Sequence, residues 1–212
     1  IMWSGFAAVT CAALGLDSAQ LPLRSPCLLL VELGGASFEA ARTALEDALA
    51  ALVETEPDLD GIVCASIAQS AQLWRLREDT DALYRLHPQA PSYDISLPAR
   101  EFDGYVARLR PALKAIDQAI EPYLFGHLAD GNLHIVLNQP GPLQPDARTA
   151  IETVIYDELR GLGGSFSAEH GIGSKRIAAL KRNADPVKLA LMAELKRLFD
   201  PDNLCNPGKI VA

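Results

Sequence analysis

Short apolar runs alternate along this chain with longer stretches whose apolar residues recur at helical spacing. Residues 1–20, rich in Ala and Leu, read as a helix stopped by Pro22 and Pro26. Cys27-Leu28-Leu29-Leu30-Val31-Glu32-Leu33, closed by Gly34-Gly35, has the pattern of a buried strand. Ser37 then opens a helix to about Glu54, its hydroxyl serving as the N-cap. A second strand is predicted from Leu59 to Ala65. A helix capped by Ser66 follows from Ile67 to Leu86 and ends at His87-Pro88. Ser92 to Leu97 alternates as a strand, with Pro98 closing it. The period predicts a helix over 99–119 that Pro111 should kink or split. A hairpin is predicted from segments 121–129 and 132–138. After it come a helix from Pro145 to about Gly161, a brief strand at Ser165-Phe166-Ser167, and helices at 174–182 and 186–199, the last ended by Asp200-Pro201. Strand–helix alternation combined with a tight hairpin predicts an α+β fold, an antiparallel or mixed sheet with helices on one face.

The bulk numbers narrow the class. With 212 residues, 49% of them hydrophobic, the chain suits one ordinary domain or two small ones with a real core. A net charge of −8 and the lack of any Lys/Arg run argue against nucleic-acid binding through phosphate neutralisation. No apolar stretch approaches the roughly 20 residues needed to cross a bilayer. The opening Ile1-Met2-Trp3 lacks both an initiator Met and a basic leader, so the expectation is part of a longer protein without a secretory signal. Cys11, Cys27, Cys64 and Cys205 are scattered and form no CxxC pair, as reduced thiols of a cytoplasmic protein would be.

The candidate chemistry is concentrated in two stretches. In Gly126-His127-Leu128-Ala129-Asp130-Gly131-Asn132-Leu133-His134, Asp-Gly between apolar runs signals a two-residue hairpin turn. That turn would set Ala129 against Asn132, Leu128 against Leu133 and His127 against His134, with opposed Cβ atoms roughly 5 Å apart. Two imidazoles so held can share one metal ion, and the chain has only four histidines. The second stretch, Ser167-Ala168-Glu169-His170-Gly171-Ile172-Gly173, adds a carboxylate and another imidazole. Two His and one carboxylate with open coordination positions is a common catalytic metal layout. Zn²⁺ suits such a set, with Mn²⁺ or Fe²⁺ as alternatives. His170 is a candidate general base, since an ordinary imidazole takes a proton near pH 6.5.

Three motifs, GHLADGNLH (126–134), SAEHGIGSKR (167–176) and LFDPDNLCNPGKI (198–210), carry a family resemblance. With Met2-Trp3, Leu73-Trp74-Arg75-Leu76-Arg77-Glu78 and Tyr93-Asp94-Ile95-Ser96-Leu97-Pro98, they run from end to end in family order. The chain resembles the C-terminal half of the FAD-linked oxidases of the vanillyl-alcohol oxidase superfamily, in the D-lactate, glycolate and D-2-hydroxyglutarate dehydrogenase branch. The resemblance implies that residues 1–212 form a ferredoxin-like α+β substrate domain that packs against an N-terminal FAD-binding domain. Nothing here resembles the glycine-rich pyrophosphate loop of that domain, so FAD would be bound mainly outside this chain, which alone should be inactive.

The same resemblance implies roles. His127, His134 and Glu169 bind a divalent metal, and Arg77 grips the substrate carboxylate by paired hydrogen bonds. His170 accepts the hydroxyl proton. Asn132 is either a turn residue or a substrate contact. Asn206 and Lys209 lie near the flavin or the domain junction. The implied reaction oxidises a 2-hydroxy acid to a 2-oxo acid, the metal chelating the substrate and a hydride leaving to the flavin. Electrons then pass to an acceptor protein, a quinone or oxygen, and a homodimer is admitted. Two positions depart from the D-2-hydroxyglutarate enzymes: Ser92 stands where they have lysine, and Val136 where they have asparagine. Both changes favour a monocarboxylate with a less polar tail. Other readings are a transferase like alkylglycerone-phosphate synthase, which has histidines where Glu169-His170 stand, and a non-catalytic metal-binding or interaction module.

Overall fold

A computed structural model describes residues 1–18, 21, 25–35 and 37–211. The chain divides into two compact units, Ile1–Ala90 with Tyr123–Phe125, and Pro91–Pro122 with Gly126–Ala212.

The first unit contains β1 (Met2–Trp3), α1 (Ser4–Ala13), β2 (Cys27–Leu28), α2 (Phe38–Thr55), α3 (Ile67–Glu78) and α4 (Asp81–Leu86). β1 pairs antiparallel with β2 through Met2↔Leu28 and Trp3↔Cys27, and Met2 also pairs with Phe125. Met2, Phe6, Leu76 and Leu83 are fully buried, and the Phe6 and Phe125 rings stack 4.3 Å apart. The two predicted caps form: Ser37 Oγ accepts from Ala40 N and Ser66 Oγ from Gln69 N, each at 3.2 Å.

Several expectations for this unit need correction. The chain opens with a strand before its first helix. The strand expected over 27–33 is only Cys27–Leu28, and Leu29, Val31 and Leu33 are exposed. No strand forms over 59–65, where Leu59 and Ile62 are also exposed. An apolar run supplies surface to bury but no ladder neighbour, and these two runs find none beyond Leu28 among the described residues. The expected helix over 67–86 breaks at Asp79-Thr80 into α3 and α4. Residues 19–20 of the first expected helix, and Pro22, lie outside the described residues.

The second unit contains β3 (Ser92–Ser96), a 3₁₀ turn (Ala99–Glu101), α5 (Phe102–Ile116), β5 (Asn132–Leu137), α6 (Pro145–Tyr156), α7 (Ile177–Asn183) and α8 (Pro186–Phe199). The strand before β5, β4 (Pro122–His127), is shared by both units. With five antiparallel strands and eight described helices, the fold is α+β as expected. β5 lies between β4 and β3 and pairs with β3 from Ser92↔Val136 to Ser96↔Asn132, so Asp94 faces His134. Alternation puts residues 92, 94 and 96 on one face with 132, 134 and 136. On the other face Ile95, Leu133, Ile135 and Leu137 are all sealed from water. There the Tyr93 ring meets Tyr156 of α6 edge-on at 5.9 Å.

Pro111 does not split α5, which runs through it. An interior proline costs about 3 kcal/mol. The buried stripe of Phe102, Tyr105, Val106, Leu109 and Leu113 opposes that cost. The strand expected at 165–167 is a single bridge, Ser96↔Ser165.

The hairpin turn is longer than predicted. β4 ends at His127 and β5 begins at Asn132, leaving the four residues 128–131 between them. Gly131 N donates to Leu128 O at 3.3 Å. Only Gly131 takes a positive φ, 71°, where a two-residue turn of the expected kind needs two such residues. The Asp130 carboxylate instead accepts from Asn132 N, and Gly131 O accepts from Leu97 N at 2.9 Å. A tertiary hydrogen bond to the end of β3 thus competes with the local turn preference.

Candidate metal centre

The hairpin still brings the two histidines together. His127 ends β4, His134 is the third residue of β5, and their rings stand 5.7 Å apart at 82°. Glu169 joins them from the loop after α6. One donor atom from each of His127, His134 and Glu169 lies within 4.8 Å of the other two. His127 and Glu169 are exposed and His134 is partly buried, so the cluster opens to solvent on one side.

The loop that carries Glu169 is fastened at several points. Ser96 and Ser165 exchange backbone hydrogen bonds of 2.9 and 2.7 Å, and Ala168 N donates to Asp94 O. Arg176 Nη1 donates to Gly171 O at 2.8 Å and to Ser167 Oγ at 3.3 Å, bracing the far side. The acidic residue and the imidazole pair therefore meet through backbone anchoring to β3, which local sequence does not reveal.

The group that sequence reasoning missed as a site residue is Asp94, which is 4% exposed. Its Oδ1 accepts from Asn132 Nδ2 at 3.0 Å and stands 3.2 Å from His134 Nδ1, while Oδ2 accepts from Glu169 N at 3.0 Å. A buried carboxylate needs such donors for its lone pairs. The available signal was an acid inside an alternating strand flanked by buried neighbours.

Asp94, Glu169 and His170 form a second triple, their donor atoms likewise within 4.8 Å of one another. Both oxygens of Asp94 are already engaged by Asn132, His134 and the Glu169 amide, so the His127–His134–Glu169 set is the candidate metal site. Two imidazoles and a carboxylate match the preferences of Zn²⁺ and of related divalent ions. The donor set therefore fits a divalent metal.

The other predicted site residues are placed as follows. His170 is 71% exposed, its Nε2 3.9 Å from Glu169 Oε2. Asn132 is 2% exposed, with its amide turned to Asp94. Arg77 belongs to the first unit, where it is buried with its guanidinium 5.1 Å from the centre of the Phe125 ring. Trp74 is only half-buried and donates to Glu32.

Asn206 and Lys209 lie in the exposed segment after α8, where Lys209 N donates to Asn206 O at 3.2 Å. Asp200 gathers the start of this segment, accepting from Lys196, Leu204 N and Cys205 N. The Lys196 contact foremost, and then the two amides, hold its carboxyl below the usual range. A depressed carboxyl contributes order above its unfolded pKa, and that order is lost as pH falls through the folded value. Protection of the Leu204 and Cys205 amides from hydrogen exchange should therefore decline below about pH 4 and be absent at all pH in Asp200→Ala. Equal protection in the variant would remove Asp200 as the anchor.

Over residues 3–210 the sequence matches the family described as FAD linked oxidases, C-terminal domain. It is similar to D-2-hydroxyglutarate dehydrogenase of Xanthomonas citri pv. viticola, 37% identical over 182 residues covering 82% of this chain and 38% of that protein. It is 31% identical to the mitochondrial D-2-hydroxyglutarate dehydrogenase of Arabidopsis thaliana over 92% of this chain and 35% of the relative. The mitochondrial enzyme of Rattus norvegicus is 34% identical over 87% of this chain and 34% of its own length. The chain thus spans little more than a third of the length of these relatives. By the extent of the family match, the chain belongs to the FAD linked oxidases as a C-terminal domain.

Proposed function

We propose that this chain is the substrate- and metal-binding part of a flavin-dependent dehydrogenase that oxidises a 2-hydroxy acid to a 2-oxo acid. The observation that carries the reading is the convergence of His127, His134 and Glu169 within 4.8 Å of one another. A bound divalent ion supplies Lewis-acid polarisation of the substrate oxygens, and FAD supplies the two-electron acceptor. The chain's own residues bind, orient and deprotonate. The two imidazoles and Glu169 would hold the ion. His170 takes the hydroxyl proton, and its exposure lets it return that proton to solvent. Arg77 receives the substrate carboxylate, Asn132 supports the binding face, and Asn206 and Lys209 serve the flavin side. An acceptor protein or a quinone would be the electron-accepting partner of the full-length protein. The four free cysteines are in keeping with a reducing, cytoplasmic compartment. Among the described residues, no helix is long and apolar enough to cross a membrane.

The substrate tail is proposed from Ser92 and Val136. They are direct partners in the β3–β5 register, on the same face as Asp94 and His134 and one same-face pair away. Neither carries a cation, and Val136 is 2% exposed. A second carboxylate brought here would lose water without gaining a counter-charge. A panel of 2-hydroxy acids on the full-length gene product, with and without a chelator, tests the reading. Acids with short apolar tails should exceed 2-hydroxyglutarate by about tenfold or more in kcat/KM. A preference for the diacid would overturn the tail assignment. In the same assay Arg77→Ala should raise KM for 2-hydroxy acids far more than for simple alcohols, and equal effects would remove Arg77 from the carboxylate.

A further inference from the structure

We infer that Asp94 is a positioning residue for two of the three metal ligands, a role that rests on the metal-centre reading above. An ionised carboxylate only accepts hydrogen bonds, so each nitrogen that faces it must present a proton. Toward His134, 3.2 Å away, this sets the proton on Nδ1 and leaves the Nε2 lone pair for a metal. Toward Glu169, the 3.0 Å bond to its backbone N–H fixes the loop at the residue whose side chain is a ligand. One buried side chain on β3 thus ties a strand ligand to a loop ligand distant in sequence.

Asn132 supplies an independent observation. Its Nδ2 donates to Asp94, while its Oδ1 is buried with no hydrogen-bond partner among the described residues. Flipping the amide would set oxygen against oxygen, so the amide is held in the orientation that serves Asp94 even though its own oxygen goes unpaired. A side chain placed only to fill the hairpin would leave no such deficit. Asn132 fixes the Asp94 rotamer, and Asp94 fixes the imidazole tautomer and the loop.

The test uses the full-length gene product stripped of metal, with Zn²⁺ as the probe. Asp94→Asn has the same shape but turns an amide N–H toward one of its present donors. Its Zn²⁺ Kd, measured by chelator competition, should weaken by about 10–100-fold, while the far-UV circular dichroism of the metal-free protein stays unchanged. In ¹⁵N-histidine NMR of the metal-free wild type at a pH where the ring is neutral, His134 should carry its proton on Nδ1. A purely structural Asp94 would leave both the Kd and the tautomer where they are. Wild-type Zn²⁺ affinity in Asp94→Asn, alongside loss of affinity in His134→Ala, would overturn the role of Asp94 and leave the metal centre standing. Wild-type affinity in His134→Ala and Glu169→Ala as well would overturn the metal-centre reading itself. If Asp94→Asn fails to fold, the wild-type tautomer decides: a proton on Nδ1 supports the role, and a proton on Nε2 ends it.

Discussion

Replacing His134 by alanine in the full-length protein is expected to remove the bound divalent ion and to lower kcat by about 10³-fold or more. The magnitude follows from Lewis-acid stabilisation worth several kcal/mol, with each 1.36 kcal/mol a factor of ten. His134 should cost more than His127. It is the less exposed of the pair, with 18% of its side chain accessible, and the one beside the Asp94 carboxylate. Truncating it removes a proposed ligand and also leaves a buried carboxylate with one contact fewer. Metal content by elemental analysis and turnover with a 2-hydroxy acid would be measured together. Turnover that survives complete metal removal would end the mechanism, whatever the variant does.

The second large effect concerns stability. In Gly126→Ala the added Cβ would sit 2.1 Å from the carbonyl oxygen of Asn132 and 3.1 Å from the Leu133 Cα. Both are backbone atoms of β5, so no rotamer change relieves the clash and the hairpin must open. A destabilisation of about 3 kcal/mol is expected, which at roughly 2–4 °C per kcal/mol for a chain of this size lowers Tm by about 6–12 °C. The control is Gly171→Ala in the Glu169 loop. Gly171 has a φ of 63° but nothing within 4 Å of the added carbon, so only the left-handed backbone penalty of about 1–2 kcal/mol applies. Thermal unfolding distinguishes the two causes. Equal Tm shifts in both variants would show that close approach at Gly126 is not what keeps a side chain out. Since Gly126 adjoins His127, loss of Zn²⁺ binding should accompany the loss of stability.

How far local reasoning reached differs from element to element. The caps at Ser37 and Ser66 were legible because each is decided within four residues. The alternation of β3 and β5 was legible because one face of each strand is buried. The apolar runs at 27–33 and 59–65 misled, since a strand requires a neighbour that composition does not name. The Asp-Gly turn misled because Leu97 N bonds Gly131 O from outside the hairpin. At the site, the histidine pair and Glu169 stood out by residue type. Asp94 did not, because Asn132 and Glu169 lie 38 and 75 residues away from it. One charge in a strand gives no sign of which donors will surround it.

The amino-acid order by itself determined the α+β class, the family, and the kinds of side chain available for chemistry. The class depends on periodicity that short-range sterics and hydrogen bonding impose, and the family on the resemblance its motifs carry. Only the tertiary structure decided the length of the hairpin turn, the meeting of Glu169 with the two imidazoles, and the burial of Asp94 beside His134 and the Glu169 amide. Those follow from β3 pairing with β5 and from the loop bonding back to Ser96 and Asp94. Such contacts are chosen by competition among distant donors and acceptors, which a linear pattern does not record.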